Sequence, residues 1–357
     1  MERRRCYRGA VSDGRRVRGE IEKLPSGSLR VRVYAGIDPV TRRRRYLTRT
    51  VPAGPTAVRD AEHLRSQLLA DAAVRPARPA GAACLEVVFF GMQSNLAIPV
   101  LHGVEAVAAP HDLTVGFVDV LHRSGRSWAH DLLARRPTGV VTVCLSPPTL
   151  EHEVLAAGGV PLVTLDPTGE PDHPVPSVGA ADAAGATAAA RHLLGLGHRR
   201  IGVITGPPDR LCARARLDGA RAAMDAAGVP LDPALVRTGL WFAFEDGLNH
   251  ARELLRLPDP PTALLCGNDL QALGACEAAR RAGLRIPQDL SVVGFDDIPP
   301  ASWCGPALTT VRQPFTEMGA AAAGMVVSMA AGRPPERTRV ELPTTLIVRD
   351  STAPPSP

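Results

Sequence analysis

The sequence of 357 residues predicts an α/β fold with two doubly wound parallel-sheet lobes, preceded by a small domain of three strands and one helix. From Leu85 onward, short runs of Val, Ile, Leu and Phe alternate with segments of helical periodicity, as in parallel sheets covered by helices on both faces. About 275 residues in one such pattern exceed a usual single sheet, which favours two lobes with a cleft between them. Before Leu85, apolar residues instead alternate singly with polar ones, which is typical of a half-buried sheet.

The N-terminal domain, residues 1–71, contains the signals for three strands and a helix. Strands are predicted at 17–22, 29–34 and 44–50, with turns at 25–27 and at 38–39. In the second strand Leu29, Val31 and Val33 share one face, whereas Arg30, Arg32 and Tyr34 share the other. Apolar residues recur at helical spacing over 55–73, and this stripe is able to cover the apolar face of the sheet.

A linker is predicted over residues 72–83, because this segment combines prolines, a glycine and many alanines without a sustained apolar period. The core follows as residues 84–357. Its predicted strands are 85–90, 113–118, 139–145, 161–165, 200–205, 263–266 and 291–293.

Basic residues are concentrated at the N-terminus. Residues 1–80 contain 19 Lys+Arg against 8 Asp+Glu, whereas residues 81–357 contain 22 against 28, within a total net charge of +5. All three tyrosines, Tyr7, Tyr34 and Tyr46, also lie in the basic part. Positive charge gathered in one domain favours a polyanionic partner, and nucleic acid is the simplest one.

Composition and motifs exclude several classes of protein. No apolar run of membrane-spanning length occurs and no signal-peptide core follows the N-terminal arginines, so a cytoplasmic protein is expected. The 7 cysteines are scattered without a C-x-x-C pair, which argues against a disulfide framework or a zinc site. No phosphate-binding glycine loop, catalytic serine motif or pair of carboxylates appears, so neither a cofactor nor an enzymatic activity is expected.

Six different motifs follow one another in the second half of the core. They are 192–207 with the run GHRRI, 214–219 (RARLDG), 266–269 (CGND), 291–297 (SVVGFDD), 308–314 (LTTVRQP) and 342–352, which ends in RDST. In this order they resemble the effector-binding core of the LacI/GalR family of bacterial transcription regulators, which has the fold of periplasmic binding proteins. Within that family the sequence is most similar to the xylose-regulator type of actinobacteria.

The resemblance implies a sugar site in the cleft between the lobes. It implies one lobe of about 84–179 and 312–340, and another of about 180–311 and 341–357. The positions that match the family's effector contacts are Asp166, Arg216, Phe242, Asn268, Asp296 and Gln313; Ser94 and Asn95 also lie within reach, and Asp182 is a weaker candidate. These residue types suit a polyhydroxyl ligand, because charged and amide groups bind hydroxyls while an aromatic ring covers the apolar face of a sugar.

Several of these residues also have a structural interpretation. Arg216 could form a salt bridge on a helix face, and Asn268 could cap a helix. At 296–297 we expect Asp296 to contact the ligand and Asp297 to be structural. Trp241 and Trp303 are explained by packing as readily as by ligand binding.

The N-terminal domain departs from the LacI/GalR pattern, because its sequence shows neither a helix-turn-helix nor a hinge helix. The segments 19–27 (GEIEKLPSG), 31–36 (VRVYAG), 38–41 (DPVT) and 44–47 (RRYL) instead resemble the arm-type DNA-binding domain of phage integrases, in which a three-stranded sheet enters the major groove. No tyrosine follows Tyr46, so strand transfer is not expected. The predicted DNA contacts are Arg30, Arg32, Tyr34, Arg42, Arg43, Arg44 and Arg45, and a merely solvated basic face is the alternative.

We therefore expect a sugar-responsive transcription regulator that represses from double-stranded DNA as a homodimer. Because the 72–83 linker lacks the family's hinge helix, the sequence leaves open how effector binding is coupled to DNA binding. Two alternatives remain at this point: a cytoplasmic sugar-binding sensor without DNA-binding activity, and a carbohydrate-acting enzyme, against which the missing acid/base pair argues.

Overall fold

The computed structural model describes residues 19–37, 44–73, 83–92, 96–121, 127–169 and 174–356. The chain divides into two compact units, Met1–Gly81 and Ala82–Pro357, which we call the N-terminal domain and the core. Among the helices described in these ranges, none combines the length and apolarity that a membrane span requires.

The N-terminal domain is an antiparallel sheet backed by one helix. The strands β1 (Gly19–Lys23), β2 (Leu29–Ile37) and β3 (Arg44–Val51) pair in sequence order, and α1 (Ala57–Ala73) packs on the sheet. Leu29, Val31 and Val33 of β2 are buried together with Ala61 and Leu68 of α1. The predicted arrangement of three strands and a covering helix is confirmed, and α1 includes the first residues of the predicted linker; the rest of that linker up to residue 82 lies outside the described residues.

The core alternates strands and helices throughout. Its strands are β4 (Cys84–Phe89), β5 (Thr114–Asp119), β6 (Gly139–Val143), β7 (Leu162–Leu165), β8 (Ser177–Ala180), β9 (Ile201–Thr205), β10 (Val236–Thr238), β11 (Ala263–Cys266), β12 (Ser291–Val293), β13 (Thr310–Arg312), β14 (Arg339–Leu342) and β15 (Thr345–Ile347). Its α-helices are α2 (Ala97–Ala108), α3 (Trp128–Leu133), α4 (Thr149–Ala157), α5 (Asp182–Gly195), α6 (Leu211–Ala226), α7 (Phe244–Leu254), α8 (Asp269–Arg281), α9 (Pro299–Trp303) and α10 (Phe315–Ala330), and single 3-10 turns lie at Ala109–His111 and Pro233–Leu235.

The first lobe is built on a parallel sheet of order β14-β8-β7-β6-β4-β5. Leu85, Val87 and Phe89 of β4 point to one face, where α2 and α10 cover them. Val88 of the same strand points to the other face, against α3 and α4. Burial on both faces explains why these strands read as continuous apolar runs.

The second lobe has the same construction around the parallel sheet β10-β9-β11-β12. Helices α5 and α6 cover one face and α7 and α8 cover the other. The antiparallel pair of β13 and β15 lies beside β12 through the bridges Val293–Thr309 and Asp296–Arg312. The predicted α/β class with doubly wound parallel lobes is confirmed.

The chain passes from the first lobe to the second after β8, returns with α10 and passes back after β14. In open parallel sheets, ligands bind beyond the carboxyl ends of the strands. The loops that follow β7, β11 and β12 are therefore the places where binding residues are expected.

Candidate functional site

Charged and polar side chains converge beyond the strand ends of the core. Asp166 follows β7 of the first lobe, Asp296 follows β12 of the second, and Gln313 follows β13. Helices α5 and α6 contribute Asp182 and Arg216. We call Asp166, Asp182, Arg216, Asp296 and Gln313 the Arg216 cluster.

Arg216 is buried, with 7% of its surface exposed, and carboxylate and carbonyl oxygens surround it. Its Nε donates to Asp182 Oδ1 at 2.7 Å, and its Nη1 donates to the Gly267 carbonyl oxygen at 2.6 Å. Nη1 also lies 3.5 Å from Asp296 Oδ1. The salt bridge of Arg216 is thus a buried one that joins two helices and two loops, and it does not lie on an exposed helix face.

Aromatic rings flank the guanidinium. The Phe295 ring centroid lies 3.9 Å from Arg216 Cζ, and the Phe242 ring centroid lies 5.7 Å from it. The Phe242 ring packs directly on the backbone at Gly206, where an added Cβ would collide with the ring. A glycine at 206 is therefore required for Phe242 to reach its place beside the cluster.

In the folded protein, the ionised forms of two carboxyl groups of the cluster are disfavoured relative to their protonated forms. Burial, reinforced by the negative charge of Asp182, raises the pKa of Asp166 to about 7, although Arg216 opposes the shift. Burial likewise raises the pKa of Asp296 to about 6, against the effects of Arg216 and the Gln313 amide. Both residues also adopt positive φ angles, 49° for Asp166 and 104° for Asp296. Such backbone strain in aspartates of a cleft is typical of binding sites.

Two cysteines border the cluster, and the sequence analysis did not single them out. The Cys144 thiol donates to Asp166 Oδ2 at 3.6 Å. Cys212 lies one helical turn before Arg216 on α6. Burial raises the pKa of both thiols, and Asp166 raises them further, so both remain protonated at neutral pH.

The lobes also meet through an aromatic pair that the sequence analysis missed. Phe90 of the first lobe stacks on Trp241 of the second, with ring centroids 6.4 Å apart. The Arg210 guanidinium lies 5.8 Å from the Phe90 centroid and 5.6 Å from the Trp241 centroid. The sequence shows an aromatic residue at the end of the first core strand and a tryptophan after β10, but their contact depends on the fold.

The remaining predicted effector residues are Asn268, Ser94 and Asn95. Asn268 caps α8, with its Oδ1 accepting from the Gln271 backbone at 2.9 Å, and its amide donates to the Phe242 carbonyl at 3.1 Å. The capping interpretation of Asn268 therefore holds, and the same side chain fixes the Phe242 backbone. Ser94 and Asn95 lie outside the described residues.

Asp297 is structural, as expected from the sequence. Its carboxylate contacts Arg312 Nε at 2.7 Å and Arg349 Nη2 at 2.6 Å, which fastens β13 and the C-terminal segment to the loop after β12. Its neighbour Asp269 is fully buried and accepts a hydrogen bond from the Ile298 backbone at 2.8 Å. Burial and the charge of Asp296 raise the pKa of Asp269 to about 8.

Three of the candidate DNA-binding residues, Arg30, Arg32 and Tyr34, lie on the exposed face of the N-terminal sheet. Arg30 and Arg32 are exposed, and the Arg32 guanidinium lies 3.8 Å from the Tyr46 ring centroid. The rings of Tyr34 and Tyr46 meet edge to face at 5.6 Å. Arg42 and Arg43 lie outside the described residues, and Arg44 and Arg45 are placed by backbone only, at the start of β3.

The strand register adds a feature that the sequence analysis did not weigh. Glu22 of β1 pairs with Arg30 and Glu20 pairs with Arg32, and Glu22 Oε2 lies 3.6 Å from Arg30 Nη1. The exposed face therefore carries carboxylates beside β2 on one side and threonines and Tyr46 of β3 on the other. A polyanion is favoured along β2 and β3 and disfavoured along β1.

Comparisons with known proteins agree on the nature of the core. Residues 190–352 match the family model of the periplasmic binding protein-like domain. The chain is 32% identical to the HTH-type transcriptional repressor CytR of Escherichia coli over 254 residues, which are 71% of this chain and 74% of that protein. It is 40% identical to the ribose operon repressor of Escherichia coli over 167 residues, which are 47% of this chain and 50% of that protein.

Solved structures show the same architecture. A regulatory protein of the LacI family from Chloroflexus aggregans superimposes with a TM-score of 0.68 at 28% identity, over 75% of this chain and 98% of that one. The transcriptional regulator CelR, solved in complex with cellobiose, superimposes with a TM-score of 0.69 at 29% identity, over 84% of this chain and 91% of that one.

The raised pKa of Asp166 predicts a pH dependence of stability. A folded pKa of about 7 against an ordinary 3.8 means that the folded state binds this proton more tightly than the unfolded state. The resulting stabilisation is full below the ordinary pKa and is lost as the pH rises to about 7, at up to about 1.4 kcal/mol per pH unit. In Asp166→Asn, melting temperatures measured from pH 5 to about pH 7 should fall less steeply than in the wild type.

The matched control is Asp289→Asn. Ion pairing and hydrogen bonding with Arg285 lower the pKa of Asp289 to about 2, so its titration lies below this window. If melting temperature fell equally steeply with pH in Asp166→Asn and in the wild type, the raised pKa of Asp166 would be contradicted.

Proposed function

Because this chain belongs to the LacI family of transcription regulators, we propose that it is a repressor whose core binds a small sugar and whose N-terminal domain binds DNA. The observation that carries the proposal is the Arg216 cluster, which gathers groups from both lobes at the carboxyl ends of their strands. The core acts by binding, and no catalytic step is part of this function.

The cluster supplies the groups that a polyhydroxyl ligand requires. The Arg216 guanidinium and the Asp296 carboxylate lie close enough to share neighbouring hydroxyl groups, and Phe242 offers an aromatic surface beside them. Asp166 adds a group from the other lobe. A ligand held between Asp166 and Arg216 would favour closure of the cleft, which is how the relative position of two lobes responds to an effector. We place the effector among pentoses and hexoses, in agreement with the xylose-regulator type.

The N-terminal domain supplies the DNA-binding surface in this proposal. A sheet face with exposed Arg30 and Arg32 beside Tyr34 and Tyr46 suits insertion of β2 and β3 into the major groove, in the manner of an arm-type domain. Arg32 is held against Tyr46, so it loses little side-chain freedom on binding. The other arginines would contact phosphates and position the domain.

We propose a homodimer formed through the cores, acting in the cytoplasm on two-fold symmetric sites. Ile98 of α2, Phe117 of the edge strand β5 and Trp303 of α9 are exposed apolar side chains, and such surface favours association. Ligand-driven closure would then change the placement of two N-terminal domains relative to each other.

The effector proposal is tested by thermal shift of the full chain in a screen of pentoses and hexoses. A ligand at a hundredfold excess over its Kd stabilises by about 2.7 kcal/mol, and 1 kcal/mol corresponds to roughly 2–4 °C in a domain of this size class. Arg216→Lys keeps the buried positive charge but loses the guanidinium group whose nitrogens reach Asp182 and Gly267. The increase in melting temperature on adding the ligand should therefore disappear. Arg221→Ala, which changes an exposed residue of the same helix, is the control and should keep the full shift. A full shift in Arg216→Lys would refute the site assignment.

The DNA proposal is tested by fluorescence polarisation of the full chain on a labelled duplex of random sequence at two salt concentrations. Arg32→Ala should weaken binding and, if Arg32 contacts a phosphate, reduce the salt slope by about 1. Arg59→Ala is the control, because Arg59 lies on α1 with its side chain 81% exposed. If the wild type bound no duplex at either salt concentration, the DNA-binding half of the proposal would be wrong.

A further inference from the structure

The Arg216 cluster contains more negative than positive charge. Asp166, Asp182 and Asp296 share the single guanidinium of Arg216, and that guanidinium already contacts Asp182, Asp296 and the Gly267 carbonyl. The neighbouring cations have other partners: Arg210 lies beside the stacked rings of Phe90 and Trp241, while Arg312 and Arg349 contact Asp297.

A buried acceptor also points to a missing donor. Gln313 is 6% exposed, and its Nε2 donates to Asp296 Oδ1 at 2.6 Å. Among the described residues, its Oε1 has no hydrogen-bond partner. Rotating the amide by half a turn would not help, because it would place the amide oxygen against the Asp296 carboxylate. A buried acceptor without a donor is costly, so a ligand that donates to Gln313 Oε1 while lying beside Asp296 gains affinity.

Taken together, the excess of carboxylates and the Gln313 oxygen, which has no donor among the described residues, favour a ligand with a positive charge. We propose that the effector is an amino sugar, whose protonated amine donates to Gln313 Oε1 and lies against the carboxylates of Asp296 and Asp166. This inference rests on the proposed sugar-binding function and narrows it to a cationic member of that class. An ammonium group offers only donors, and Gln313 Oε1 and the carboxylates of Asp166 and Asp296 are acceptors. A phosphorylated or acidic sugar is rejected, because it would bring a further negative charge next to buried carboxylates.

The assignment also explains the state of the two aspartates. Burial and the negative charge of Asp182 raise the pKa values of both Asp166 and Asp296, so these carboxyl groups lack sufficient positive charge nearby. A bound ammonium group supplies that charge and favours their ionised forms. Binding of the amine and ionisation of the aspartates therefore support each other.

The test is isothermal titration calorimetry of the full chain at about pH 7 with matched ligands. Glucose, glucosamine, N-acetylglucosamine and glucose 6-phosphate form one set, and the corresponding galactose compounds form a second. The amine of at least one set should bind about tenfold or more tightly than both its neutral parent and its N-acetyl derivative, and the phosphate should bind most weakly. Asp166→Asn removes one of the two carboxylates and should lower the ratio of amine to neutral affinity severalfold, whereas the exposed Asp218→Asn on α6 should preserve it.

The outcomes separate this inference from the function on which it rests. Neutral sugars that bind as tightly as their amines, or a phosphate that binds as tightly as its parent, would overturn the amine preference and leave sugar binding intact. An amine preference that persists unchanged in Asp166→Asn would also overturn it. If no compound of either set bound but another sugar stabilised the full chain in the thermal-shift screen, the amine preference would be wrong and sugar binding would stand. If no sugar gave a response in either experiment, both would be contradicted.

Discussion

The buried guanidinium of Arg216 organises the cleft of this protein. A charge taken out of water is tolerated only when ion pairs and hydrogen bonds satisfy it, and here Asp182, Asp296 and the Gly267 carbonyl do so. Each of these partners comes from a different segment, α5, the loop after β12 and the loop after β11. The requirement to satisfy one side chain on α6 therefore fixes three other segments around the same point.

The two lobes of the core place charged groups from both sides at the same cleft. Parallel strands end at the cleft in both lobes, so Asp166 of the first lobe lies in the electrostatic field of groups that belong to the second. Contacts between the lobes at Phe90 and Trp241 provide a further apolar link that a change in closure would alter. In the proposed function, a ligand bound between Asp166 and Arg216 favours one relative position of the lobes, and this preference is how the effector would act on the repressor.

Much of this fold follows from sequence pattern, since buried parallel strands are continuous apolar runs and β2 alternates cleanly between faces. The strands β10 (VRT), β13 (TVR) and β15 (TLI) have three residues each and are not predicted from the sequence, whereas the equally short β12 is predicted from its Val-rich run SVV. Among site residues, Arg216 within α6 and Asp296 after β12 stand in recognisable motifs. The contacts of Cys144 with Asp166 and of Phe90 with Trp241 depend on distant segments meeting, so single-sequence periodicity contains no signal for them. The pairing of Glu22 with Arg30 likewise emerges only from strand register.

A crystal structure of the full chain with its tightest-binding sugar would show whether the Arg216 cluster is the effector site of this LacI-family repressor. We expect a ligand in the cleft that contacts Arg216 and Asp296 from the second lobe and Asp166 from the first. A ligand bound outside the cleft, with the contacts of Arg216 to Asp182 and Gly267 unchanged and no contact to Asp166 or Asp296, would contradict it.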